Sequence, residues 1–168
     1  MERGAKRAPD PSYGARRAPF ALMKNPLIIG FGNPLREDDG LGWRAAELIE
    51  RANDEIDIDV IKCQQLTPEL AEAIGEASLV IFLDASVDQA PGTVSSRRIE
   101  EQVPTAWSHH LSPAQLIALV EEMNWTAPPA HMITGGVDHI GWNEGMTATA
   151  ENCAVEMAEA AARLLRAS

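Results

Sequence analysis

The sequence predicts an α/β fold: a three-layer α/β/α sandwich around a mostly parallel, twisted sheet of five strands. Three observations carry that expectation. From Leu27 onward, short apolar runs of strand length alternate with segments of helical apolar spacing. The run SLVIFLDAS, residues 78–86, is apolar without a break from Leu79 until Asp84, the profile of a strand covered on both faces. A chain of 168 residues with 45% apolar content is long enough for one domain with its own core.

Each element follows in order. LIIGF, 27–31, is the first strand, and a helix over about 39–51 places Leu41, Ala45, Leu48 and Ile49 on one face. IDIDVIKC, 56–63, alternates strictly and reads as the second strand. TPELAEAIGEA is a helix with Thr67 as N-cap, Pro68 at its first position and Gly75 at its exit. SLVIFLDAS is the third, central strand. After the turn QAPG, the half-polar TVSSRRIE, 93–100, reads as an edge strand whose Arg97 and Arg98 are solvated. SPAQLIALVEEM is a third helix, capped by Ser112 and opened by Pro113. HMITGGV, 131–137, is the fifth strand, and an Ala-rich helix over 148–168 follows it.

Residues 1–24 read as a disordered basic leader ahead of a single domain over 25–168, with Met23 an alternative start. Pro9, Pro11 and Pro19 interrupt any amphipathic helix there, and the leader lacks the apolar core of a secretory signal. It holds six of the 14 Lys and Arg but two of the 25 acids, so the rest of the chain carries a balance near −15. A body this acidic repels a phosphate backbone, which excludes nucleic acid as the expected partner and favours a cationic or metal-bearing one. No apolar run approaches the ~18 residues of a membrane span. Cys63 and Cys153 form no CxxC and read as reduced core thiols. The expectation is a cytoplasmic monomer without a membrane partner.

The loop GFGNPLREDDGLG, Gly30 to Gly42, connects the first strand to the first helix. A dinucleotide fingerprint needs a third glycine where Leu35 stands, so the helix is not expected to approach the sheet as that motif requires. A Walker lysine is missing as well. Glu37, Asp38 and Asp39 already complement the helix dipole and would repel a diphosphate, so the loop suits a cation. Taken alone, Asp38 reads as a helix cap.

Asp39 has company. In an open parallel sheet, ligands sit at the carboxyl ends of the strands. Asp84 ends a strongly apolar strand, where an unpaired charge is expensive. If the first and third strands are neighbours, both carboxylates face one crevice. His109 and His110, in WSHHLSPAQL, lie in the loop before a helix at the same edge. Two carboxylates and an imidazole form a candidate open site for Zn, Ni, Mn or a similar divalent ion. Trp107 reads as a core or a docking aromatic, and His139 and Glu144 as lining of a substrate cleft.

These residues carry a resemblance. GFGNPLREDDGLG is similar to the G-x-G-N-x-x-x-x-D-[DE]-G-x-G signature of the hydrogenase maturation proteases. These endopeptidases trim the C-terminal tail from the large subunit of [NiFe]-hydrogenases. The resemblance continues through QQLTPELAEAI, LVIFLDASVDQAPGTV and SHHLSPAQLIAL, and spans Leu27 to about Leu165. It departs where the family's Leu-Ser-Pro before the last helix appears as Met146, Thr147 and Ala148. The resemblance implies a metal-reading set of Asp39, Asp84 and His109, with His110 a one-residue alternative. It implies a nickel ion presented by the hydrogenase large-subunit precursor, although another divalent ion could occupy the site. Asp39 and Asp84 then belong to the catalytic centre, with Asp38 either its base or a cap. No HExxH, GxSxG or placed Cys–His pair suggests another peptidase class. Two rivals are a non-proteolytic metal-sensing maturation chaperone and a peptidyl-tRNA hydrolase. The second shares GFGNP, but the Thr-Arg-His-Asn expected to follow is replaced by LREDDGLG.

Overall fold

The computed structural model of the chain describes residues 24–52, 56–100, 111–142 and 145–168. The leader, apart from Lys24, therefore lies outside the described residues, as do Trp107, His109, His110 and Glu144.

Among the described residues the strands are β1 (Leu27–Phe31), β2 (Asp59–Cys63), β3 (Val80–Ser86), β4 (Val94–Arg98) and β5 (Ala130–Gly136). The helices are α1 (Leu41–Ala52), α2 (Leu70–Gly75), α3 (Pro113–Glu122) and α4 (Ala148–Ala167). The strands form one sheet in the order β2-β1-β3-β5-β4. All pairings are parallel except β4 with β5, which is antiparallel. β3 is the central strand, and its Val80–Leu83 stretch is fully buried. β4 is an edge strand on which Arg97 and Arg98 are exposed.

Period-two alternation splits the apolar side chains between two cores. Ile28, Ile81, Leu83 and Ile133 point to one face and pack with Leu41, Ala45 and Ile49 of α1 and Met157 and Leu165 of α4. Leu27, Ile29, Val80, Phe82 and Met132 point to the other and meet Ile74 of α2 and Leu116 and Val120 of α3. This gives the three-layer α/β/α sandwich that the alternation of elements predicts.

Several boundaries differ from expectation, each for a local reason. A single 3-10 turn, Glu37–Gly40, precedes α1, so the regular helix begins at Leu41 rather than Asp39. β2 starts at Asp59 because its partner begins at Leu27, and Pro26 offers only its carbonyl, which accepts the Asp59 N–H. Thr67 does not cap α2. The carbonyls of Thr67 and Pro68 accept from Leu70 and Ala71 in i→i+3 turns, so the α-helix begins only at Leu70. Ser112 caps α3 through a reciprocal capping box with Gln115. Lys24, assigned to the leader, donates its ammonium to the Gly75 carbonyl at 2.7 Å.

The helix approaches the sheet closely after all, by a different device from the dinucleotide motif. Gly42 lies against the carbonyls of Phe31 and Leu83, and a Cβ there would collide with both. A glycine on the first turn of α1 does what Leu35 cannot.

Candidate functional site

The β1–α1 loop is wound tightly. Gly32 sits at φ +122°, a conformation that L side chains avoid, with its N–H donating to the Cys63 carbonyl at 3.2 Å. Asn33 follows, its side-chain oxygen accepting the Leu35 N–H at 3.0 Å. The Arg36 N–H bonds the Asn33 carbonyl at 3.0 Å, and the Asp39 N–H bonds the Arg36 carbonyl at 3.1 Å. The curl returns the Asp39 carboxylate to the loop's start, where Oδ2 accepts the Asn33 N–H at 3.1 Å.

Asp84 stands near the carboxyl end of β3, beside β1 in the sheet. Sequence alternation puts it on the α2/α3 face with Val80 and Phe82. Its Oδ1 accepts the Ala85 N–H at 2.8 Å. Burial pushes its carboxyl up to about 7; the Ala85 N–H opposes that rise, and the negative charge of Asp39 adds to it. Asp39 and Asp84 line one cavity of about 250 Å³ together with Phe31, Gly32, Gln64, Gln65, Leu66 and Leu111. The two aspartates, 45 positions apart in the sequence, thus share a crevice at the strands' carboxyl ends.

Asp38 has a different setting. Only 3% exposed, it is not among the residues lining that cavity. Its Oδ1 accepts the Thr147 N–H at 2.7 Å and its Oδ2 the Thr147 hydroxyl at 2.8 Å. The same hydroxyl caps α4 by accepting the Ala150 N–H at 3.2 Å. Asp38 therefore fastens the loop to the start of α4 rather than capping the helix that follows it.

Glu37, buried and at φ +49°, reaches toward the β5–α4 connection. Its Oε2 lies 3.5 Å from His139 Nε2 and packs against Gly141. Beside it, Arg36 bridges the loop and the connection, its guanidinium 4.7 Å from the centre of the Trp142 ring and 4.0 Å from Asp39 Oδ2. Sequence reasoning did not single out Arg36, Trp142, Gln64 or Gln65. Their only signal was position, since each follows the carboxyl end of a strand.

Asp39 and Asp84 offer hard oxygen donors, and their crowding of negative charge on a half-buried carboxyl is relieved by a cation. That chemistry fits a divalent ion, with a third donor needed to complete the set. Among the described residues, no cluster of three or more His, Cys, Asp or Glu side chains forms by itself.

No protein-family profile matches the sequence, and no curated protein does. Solved structures do match. The hydrogenase maturating endopeptidase HybD from E. coli superposes with a TM-score of 0.70 over 85% of this chain and 93% of its own, at 22% identity. The fold is that of the hydrogenase maturation endopeptidases. Two further structures carry it. The [NiFe] hydrogenase maturation protease HycI from Thermococcus kodakarensis KOD1 matches at TM-score 0.68 and 21% identity, covering 88% of this chain and 96% of that one. HybD from Thermococcus kodakarensis matches at 0.63 and 22%, covering 84% and 99%. In each comparison the shared fold spans at least 84% of this chain and at least 93% of the other. Within it, this chain's cavity at the ends of β1 and β3 holds the paired aspartates.

Proposed function

We propose that this chain is an endopeptidase that removes the C-terminal extension of a nickel-loaded [NiFe]-hydrogenase large-subunit precursor. The observation that carries the reading is the meeting of Asp39 and Asp84 in one cavity, within the fold that the maturation endopeptidases share. In this reading the two carboxylates and His109 read the ion that the precursor presents. One residue separates His109 from cavity-lining Leu111, a covalent tether of about 7 Å.

The roles divide by environment. Asp39, held by the Asn33 N–H, offers a positioned carboxylate. Asp84, with its carboxyl near 7, exchanges a proton readily at neutral pH and gives it up when a cation arrives. Asp38, with both oxygens committed to Thr147, holds the loop rather than acting as the base. A precursor-borne ion would supply Lewis acidity beside the scissile carbonyl. In the described residues, no helix is long and apolar enough to cross a membrane. We place the activity in the cytoplasm and the working form as a monomer.

Purified protein incubated with nickel-loaded precursor tests this directly. A precursor shortened at its C-terminus, read by mass spectrometry, is the expected result. A stable complex without shortening would mean a metal-sensing chaperone. Processing that persists in both His109→Ala and His110→Ala would remove histidine from the site.

A further inference from the structure

Arg36 is the one cation paired with Asp39 among the described ion pairs, and its placement is unusual. Its backbone is fixed at both ends, with N–H on the Asn33 carbonyl and carbonyl accepting from Asp39. Its side chain is fixed by much less. A locked arginine meets a carboxylate with two short parallel bonds. Here Nη1 stands 4.0 Å from Asp39 Oδ2, at the outer reach of an ion pair, and the buried Nε finds no hydrogen-bond partner. The other support is the Trp142 ring, 4.7 Å away and 80% exposed. Charge attraction and ring stacking are both tolerant of direction, so the guanidinium can swing about a fixed backbone. An indole this exposed contributes little to packing; its position over Arg36 gives it a use.

We propose that Arg36 is the resident counter-cation of Asp39, parked on the face of Trp142 and displaced when a divalent cation enters the Asp39–Asp84 cavity. The inference rests on the proposed function and adds regulation to it. With Arg36 in place, a free ion meets a positive charge beside its ligand and is disfavoured. An ion delivered by a docked precursor is favoured by the remaining contacts of that partner, which move the guanidinium aside. Arg36 is in this sense a positioning residue that sets a threshold between stray metal and metal in its client.

Calorimetric titration of the full chain with Ni²⁺ alone, at pH 8, tests the threshold. Removing the charge in Arg36→Gln is expected to tighten Ni²⁺ binding by about three- to tenfold, the scale of a partly exposed charge pair. Arg36→Lys keeps the charge and is expected to stay within about twofold of wild type. In the Arg36→Gln/Asp39→Asn double variant the gain is expected to vanish. A merely structural Arg36 would instead lower the melting temperature and weaken binding in both single variants. Binding that is unchanged or weaker in Arg36→Gln, or undetectable in both it and wild type, overturns the counter-cation. If Asp39→Asn alone still loses binding, the metal-reading site survives that failure. Full binding by Asp39→Asn removes the site and the inference together.

Discussion

Asp39 and Asp84 leave neighbouring parallel strands and face one cavity, where the charge of Asp39 adds to burial in raising the Asp84 carboxyl to about 7. The unfolded chain returns Asp84 to the ordinary aspartate range near 3.8. Between those values the folded protein binds the extra proton, so this group's contribution to stability falls as pH rises through the window. Asp84→Asn removes the penalty and keeps an oxygen for the Ala85 N–H. The variant is expected to match wild type near pH 4 and to exceed it at pH 8 by on the order of 2–4 kcal/mol. Urea melts of both proteins across that range check this; a difference independent of pH would mean Asp84 is not buried as described.

Removing the other carboxylate separates function from folding. Asp39→Ala loses one hydrogen bond, from Asn33, and is expected to cost about 1 kcal/mol. Processing of nickel-loaded precursor is expected to fall at least about a hundredfold, the scale of a lost electrostatic catalytic group. Gel or mass analysis of the precursor, with a thermal melt beside it, distinguishes a dead site from an unfolded protein. Retained processing would remove Asp39 from the centre.

Asp38 is expected to behave in the opposite way. Asp38→Ala leaves the Thr147 N–H and hydroxyl without their acceptor and should destabilise the fold by about 2–4 kcal/mol. Thr147→Val, which loses the α4 cap and one of those bonds, should cost about 1–2 kcal/mol. A double-mutant cycle is expected to show coupling above about 0.5 kcal/mol. Additive effects, or a stable but inactive Asp38→Asn, would restore Asp38 to the chemistry.

Gly42→Ala probes the close approach of helix and sheet. The added Cβ meets the carbonyls of Leu83 and Phe31, both backbone, which cannot turn aside. The expected cost is at least about 3 kcal/mol, beyond a usual overpacking penalty because the collision is with the strands themselves. Expression yield and a denaturant midpoint report it. A near-neutral result would show that α1 can slide along the sheet.

Much of this molecule was legible before any coordinates. Hydrophobic period and turn chemistry suffice for the order of elements, the central place of β3 and the Ser112 cap, because they act between residues close in sequence. The candidacy of Asp39 and Asp84 was legible for a similar reason, since one lies in the loop after a strand and the other near a strand's end in a fold that binds there. Tertiary structure alone brought the two into one cavity, by setting β1 beside β3. It also turned Asp38 toward Thr147, 109 positions away, and laid Arg36 on Trp142. Whether a carboxylate caps its own helix, anchors a distant one or waits for a cation depends on what the rest of the chain packs against it. Local pattern carries no information about partners a hundred residues off; only the folded sheet supplies them.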